Sequence, residues 1–244
     1  MRFNASKCEI MCICRSTQPI NNITMYTLGG VALSEVDTAK YLGINISNNL
    51  SWSPHINTIT GKANAKIGFL WRNLKHCPQQ LREQAYIALV RSVLEYGCAV
   101  WDPHLRKDIS SLEKVQRRAA RFVKGDHDWG SSVTKMLADL GWDTLADRRR
   151  NIRLALLAKI ISGQAAVPTE GLLQEADRRT RSNHPYKFRT IPSQTQAYKN
   201  AYFPRTILQW NALSLEQVTL LMPATQAEPA VPELATQDFP PART

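Results

Sequence analysis

Two constellations in this chain could do chemistry, and a third could hold nucleic acid. Asp102 and His104 stand in the run Trp101-Asp102-Pro103-His104. A carboxylate beside an imidazole can form a general-base pair. Pro103 between them favours a turn instead, with Asp102 bonding the backbone and Trp101 in the core. Glu95, in Leu94-Glu95-Tyr96, lies next to an apolar stripe. It suits a buried carboxylate that pairs with an arginine and fixes helix packing, since no second carboxylate has a spacing that suggests catalysis. Cys8, Cys12 and Cys14 form the cysteine cluster. A zinc site needs further Cys or His ligands at compatible spacing, and His55, His76, Cys77 and Cys98 are scattered, so no metal is expected. On an extended segment the three cysteines share one face, which suits packing in a sheet. There is no Gly-rich phosphate loop, Gly-x-Ser-x-Gly elbow or His-Glu-x-x-His pair.

The third constellation is basic. Lys114, Arg117, Arg121 and Lys124 recur at spacings of three and four, which puts them on one helix face, with Arg118 beside them. The segment 106–124 holds seven basic residues against Asp108 and Glu113. Such a stripe can neutralise phosphates without reading sequence; the alternative is a solvated helix face. Lys62, Lys66 and Arg72 add charge upstream, with Asn64 and Asn73. Arg148, Arg149, Arg150 and Arg153 form a further cluster. Three consecutive arginines cannot share a face, so at least one pairs internally, with Asp147 or Asp143 as candidates.

The whole-chain balance agrees. The 244 residues carry 31 Lys and Arg against 20 Asp and Glu, a formal charge of +11. That excess favours a polyanionic partner, nucleic acid first and an acidic membrane surface second. No apolar run reaches the ~18 residues that span a bilayer, and Met1-Arg2-Phe3-Asn4 has no signal-peptide character. Five cysteines without framework spacing fit a reducing intracellular setting, cytoplasm or nucleus. The run 178–181, Arg-Arg-Thr-Arg, is a nuclear signal or a solvated loop.

Four regions must position these residues. Residues 1–50 are strand-like: 20–28 and 31–36 are β-rich runs around Gly29-Gly30, a hairpin signal, and 40–46 reads as a further extended piece. Residues 51–163 are helical. Ser53 is expected as N-cap with Pro54 in the first turn. Ile56, Ile59, Ala63, Ile67, Leu70 and Leu74 make the first stripe. Leu81, Ala85, Leu89, Val93 and Tyr96 make the second. Ile109, Leu112, Val115, Ala119 and Phe122 make the third, ending at Gly125. A short helix spans 132–140. A fifth starts at Thr144 with Asp147 completing a capping box, and uses Leu145, Ile152, Leu156 and Ile160. Short connections between helices make a bundle. Residues 164–215 are irregular with aromatic islands. Residues 216–244, rich in Pro and Ala, are expected to be disordered. The predicted class is α+β, mainly α.

Residues 89–122 carry a resemblance. Val90-Arg91-Ser92-Val93-Leu94-Glu95-Tyr96, Trp101-Asp102-Pro103-His104 and Gln116-Arg117-Arg118-Ala119-Ala120-Arg121-Phe122 resemble the segment after the polymerase core in reverse transcriptases of non-LTR, LINE-type retrotransposons of the jockey-like group. Met1-Arg2-Phe3-Asn4-Ala5-Ser6-Lys7 is similar to the end of the palm, Lys40-Tyr41-Leu42-Gly43 to the primer grip, residues 51–163 to the thumb, and 202–213 to a motif that closes many such reading frames. The pieces occur in order over roughly 1–215. Ser92 and Ser214 stand where the family usually has proline, so the second helix is expected to be straighter, and 216–244 departs from the family altogether.

The resemblance implies that Lys7 is the acid that protonates leaving pyrophosphate, and that Tyr41, Leu42 and Gly43 hold the primer end. It implies that the thumb helices touch a template–primer backbone of RNA, DNA or hybrid, and the charge pattern gives Lys62, Lys66, Lys114, Arg117, Arg118, Arg121 and Lys124 as the residues for that contact. The full-length enzyme would use two Mg2+, held by paired aspartates upstream of this segment. This sequence contains no Asp-Asp pair, so no cofactor and no DNA synthesis are expected of this chain alone. The expectation is a truncated or degenerate polymerase reading frame that binds nucleic acid. The alternative is a non-catalytic nucleic-acid-binding or protein-interaction module, including one that docks on the missing polymerase portion through open strand edges at 1–50.

Overall fold

The computed structural model describes residues 4–13, 26–126, 128, 130–176 and 184–222. Residues 1–3, Cys14, residues 20–25, the basic run 178–181 and the expected tail from 223 onward lie outside them. The fold is α+β and mainly α. It divides into two compact units, Met1–Arg153 with Pro192–Arg205, and Leu154–Ile191 with Thr206–Thr244. Among the described residues no helix is long and apolar enough to cross a membrane.

The first unit opens with a 3-10 turn, Ala5–Lys7, and three two-stranded pieces. β1 (Glu9–Ile10) pairs in parallel with β4 (Ser34–Glu35). β2 (Thr27–Leu28) and β3 (Val31–Ala32) form the expected hairpin around Gly29 and Gly30, both at positive φ. β5 (Thr38–Tyr41) and β6 (Ile44–Ser47) pair antiparallel. The segment 40–46 is therefore a tight hairpin rather than one extended piece. Its turn residues Leu42 and Gly43 have φ of 45° and 85°, the two left-handed positions of a type I′ turn. No sheet face unites Cys8 and Cys12: Cys8 follows the 3-10 turn, where its thiol donates to the Asn4 carbonyl, and Cys12 lies exposed beyond β1.

α1 (Ser53–Leu74) buries Ile56, Ile59, Ala63, Ile67 and Leu70, the stripe the spacing predicts. Its N-terminus differs from expectation. Trp52 occupies the cap position, and its carbonyl accepts from the Ile56 amide. The Ser53 hydroxyl instead donates at 2.8 Å to the buried Asp108 carboxylate, tying the start of α1 to α5.

The second helix is not regular. α2 (Gln79–Tyr86) runs into a π turn (Ile87–Arg91), then α3 (Ser92–Glu95) and α4 (Cys98–Trp101). The π turn interrupts the α-helical hydrogen bonding just before Ser92. The buried positions are Tyr86, Val90, Leu94 and Cys98, while Leu81, Leu89 and Tyr96 are exposed. The apolar face is thus rotated by one residue from the predicted stripe, already at Tyr86 before the π turn, because both registers are apolar in the sequence and packing buries the other one.

α5 (Arg106–Lys124) buries Leu112, Val115, Ala119 and Phe122 and stops at Gly125 in the left-handed conformation. α6 (Val133–Asp139) is capped by Ser132, which accepts from the Lys135 amide. α7 (Leu145–Ile161) starts after Thr144, whose hydroxyl accepts from the Asp147 amide and donates to its carboxylate. The remaining cap comes from α5: Glu113 accepts from the Leu145 and Ala146 amides at 3.3 and 3.0 Å. α1, the α2–α4 segment, α5 and Leu145 share one apolar core around Trp101. α8 (Gln196–Lys199) and the start of α9 (Tyr202–Asn211) complete this unit.

In the second unit Ile207, Trp210, Leu213 and Val218 are buried. The Trp210 indole donates to the Tyr186 carbonyl at 2.8 Å, and Asn211 bonds the Phe188 backbone in both directions. The disorder expected from 216 does not begin there. Ser214 and Gln217 form a capping box that starts α10 (Leu215–Leu221). Its cap residue, Ser214, stands where the resemblance leads to the expectation of proline.

Candidate nucleic-acid interface

The β5–β6 hairpin is fixed to the helices of the first unit at four points. The Asn45 amide donates to His55 Nδ1 at 3.2 Å, and the Asn45 side chain donates to the Thr58 hydroxyl at 3.1 Å. The Tyr96 hydroxyl donates to the Leu42 carbonyl at 3.1 Å. Ile44 packs on Gly97, where a Cβ would come within 2.9 Å of the isoleucine Cδ1. Tyr41 and Leu42 point outward and are exposed.

Beneath the turn runs a groove of about 590 Å3, lined by Gly43, His55, Ile59, Lys62, Lys66 and Tyr96, with Ala65, Ser92 and Val93. Lys62 and Lys66 stand one helical turn apart on its wall, and the Lys66 ammonium also donates to the Leu89 carbonyl in the π turn. His55 is buried edge-to-face on Trp101. Burial, with help from Lys62, lowers its pKa from 6.5. It is neutral at pH 7, with its proton on Nε2 because Nδ1 accepts from Asn45. The positive charge of the groove is therefore that of the two lysines.

The α5 stripe is split. Lys114 and Arg117 are exposed and have no partner among the described residues. Arg118 reaches Asn64 on α1 at 3.3 Å. Arg121 donates to the Asp128 and Ser131 carbonyls, and Lys124 lies 3.6 Å from Asp139. Lys62 and Lys66 lie on the flank of α1 that meets the π turn, whereas Asn64 lies on the flank that meets α5. The predicted basic residues thus form two surfaces, the groove and the outer face of α5. Lys7 is exposed at the end of the 3-10 turn.

Asp102 does not cap a turn. Its carboxylate is buried among three arginines, accepting from Arg149 Nε at 2.7 Å and lying 2.9 Å from Arg153 Nε and 3.3 Å from Arg205. Its carbonyl accepts from Arg205 as well. Glu95 forms the predicted arginine pair, bidentate with Arg148. That hydrogen bond raises the Arg148 pKa. The arginine run therefore pairs with Glu95 and Asp102, not with Asp143 or Asp147. Arg91, one turn before Glu95, lies over the stacked rings of Tyr86 and Trp142. The i, i+4 spacing of Arg149 and Arg153 was the available sign of a shared acceptor.

Among the described residues no three His, Cys, Asp or Glu side chains converge where a metal could sit. The carboxylates that are buried, Asp102 and Asp108, are taken up by arginines and by Ser53. The described residues therefore offer no paired carboxylates of the kind a two-metal site needs.

No protein-family model and no solved structure matches the chain. Three Drosophila melanogaster proteins are similar. A probable RNA-directed DNA polymerase from transposon BS is 27% identical over 99 residues, 39% of this chain and 11% of that protein. A probable RNA-directed DNA polymerase from transposon X-element is 26% identical over 122 residues, 48% and 13%. The RNA-directed DNA polymerase from mobile element jockey is 22% identical over 198 residues, 76% and 21%. The chain spans between about a tenth and a fifth of the length of these relatives. It carries a region related to the RNA-directed DNA polymerases of jockey-like non-LTR retrotransposons.

Proposed function

We propose that this chain is the thumb and flanking part of such a polymerase, that it binds a template–primer duplex through its backbone, and that it performs no polymerisation by itself. The observation that carries this reading is the outer face of α5. Lys114 and Arg117 project there without internal partners among the described residues, beside Arg118. Unpaired cations that cost no ion pair to redirect are the ones that can release counterions from phosphates. Tyr41, Leu42 and Gly43 would meet the primer end from the hairpin. Lys7 would act as leaving-group acid when a palm supplies carboxylates and two Mg2+.

The test is binding of a labelled RNA–DNA hybrid across a salt series. Affinity should fall steeply with salt, and the Lys114→Ala, Arg117→Ala double variant should lower the slope by about two. Binding that is absent, or indifferent to salt, would remove the reading. The chain alone should not extend a primer.

A further inference from the structure

We infer that the groove beneath the Tyr41–Gly43 turn takes an unpaired nucleotide of a single strand, with its base laid on Tyr96 and its phosphate on Lys62. The inference rests on the nucleic-acid reading and adds a second, differently shaped binding site to it.

Size comes first. A cavity of about 590 Å3 lies within the roughly 300–1,000 Å3 range of sites that enclose small molecules. It can enclose a nucleotide or two. A duplex could offer it only backbone, because paired bases are stacked inside. The open face of α5 suits a duplex; the groove does not.

Tyr96 is the second argument. It is 60% exposed, yet its ring is not free to turn. Its hydroxyl is held by the Leu42 carbonyl, and its edge lies against Gly43, where a Cβ would sit 3.4 Å from the ring. An exposed aromatic held rigid at the mouth of a basic groove is a preformed stacking platform, and stacking accepts any base because each has a π face. Gly43 lets the turn lie close to the ring. Ile59 and Val93 supply an apolar floor.

Charge is the third. Lys62 and Lys66 stand on the same wall, and Lys66 keeps donors to spare beyond its bond to Leu89. His55, neutral and tied to Asn45, adds no charge. The groove therefore combines a phosphate contact at one side with a ring at the other, the pairing that single-strand sites use.

The experiment measures anisotropy of labelled oligo(dT) and oligo(U) against a blunt duplex, on the full chain. Tyr96→Ala should weaken single-strand binding about tenfold and leave duplex binding unchanged. Tyr96→Phe keeps the ring and its edge contact with Gly43 but loses the hydroxyl bond that helps to fix it, so it should weaken single-strand binding far less than Tyr96→Ala does. Lys62→Ala should lower the single-strand salt slope by about one. Unfolding midpoints of the variants confirm that each is folded. The inference is overturned if Tyr96→Ala has no effect, or if it weakens duplex and single strand alike. It is overturned too if Tyr96→Phe loses as much as Tyr96→Ala, since the hydroxyl's hold on the turn would then be the cause. Displacement of the strand by a mononucleotide at equal strength would make the groove a site for free nucleotides instead. Failure to bind any nucleic acid would instead sink the underlying reading, and the groove with it.

Discussion

The Asp102 carboxylate accepts from Arg149 Nε at 2.7 Å, with side-chain exposures of 6% and 1%. Arg153 and Arg205 approach the same carboxylate. One anion thus neutralises part of three buried or half-buried cations, and joins the end of α4 to α7 and to the start of α9. Removing one member of a buried ion cluster leaves the others uncompensated. Asp102→Ala should therefore destabilise the first unit by about 3–5 kcal/mol. His104→Ala, at an exposed neighbour, should stay within about 0.5 kcal/mol. Urea unfolding at pH 7 measures both. A stable Asp102→Ala protein would mean that the arginines find other partners and that Asp102 is not the centre of this packing.

Stability should also fall on acidification. Burial lowers the pKa of His55, and of His184 in the second unit, from 6.5. Lys62 and Lys187 push in the same direction, while the Trp210 carbonyl opposes it at His184. Below pH 6.5 the unfolded chain takes up protons that the folded one refuses. The stability these residues contribute is therefore complete above pH 6.5 and is lost as pH falls through their lowered folded values. At His55 protonation would also set a ring N–H against the Asn45 amide. The unfolding midpoint should drop between pH 7 and pH 5, and His55→Gln should flatten that dependence. An equally steep profile in the variant would clear His55 of the effect.

The helices most legible in the sequence were α1 and α5. Each has a single apolar stripe, bounded by Pro54 at one end or Gly125 at the other, so only one face can be buried. The segment 79–95 offered two. Leu81, Ala85, Leu89 and Val93 follow helical spacing as well as Tyr86, Val90 and Leu94 do, and only packing against α1 and α5 selects between them. Asp102 was illegible for a different reason. Its partners lie 47 and 103 residues away along the chain, and nothing local distinguishes a carboxylate that caps a turn from one that gathers distant arginines. The groove was half legible. The Tyr-Leu-Gly turn and the pair Lys62 and Lys66 each stand out in the sequence, but their meeting depends on the Tyr96 and Asn45 bonds between hairpin and helices.

Two glycines in the left-handed conformation should respond differently to alanine. Gly97 and Gly125 have φ of 62° and 70°, so each substitution costs about 1 kcal/mol in backbone strain. At Gly125 the added Cβ would meet Arg82 Nη1 at 2.8 Å, the end of a long side chain. At Gly97 it would meet Ile44 at 2.9 Å, in the strand that docks the hairpin. Gly97→Ala should therefore cost more than Gly125→Ala and expose the Asn45 amide to hydrogen exchange. Equal costs, with Asn45 still protected, would show that Ile44 moves aside without loosening the hairpin.

Within the α5 stripe, affinity and stability should separate by residue. The Arg121 guanidinium bonds two carbonyls, of Asp128 and Ser131, and so holds the loop that leads to α6. Hydrogen bonds from a charged donor contribute about 1.5–3 kcal/mol when partly buried. Arg121→Ala should lower the unfolding free energy by about 1–2 kcal/mol, near the lower end of that range because the site is half exposed. Its effect on hybrid binding should be smaller than that of Arg117→Ala, whose guanidinium has no internal bonds to give up. Lys124, in an ion pair open to solvent, should contribute under about 1 kcal/mol to stability. Paired titrations of the three variants decide it. Were Arg121→Ala to lose the most affinity at full stability, the phosphate-contacting face would run along the α5–α6 loop rather than through Lys114 and Arg117.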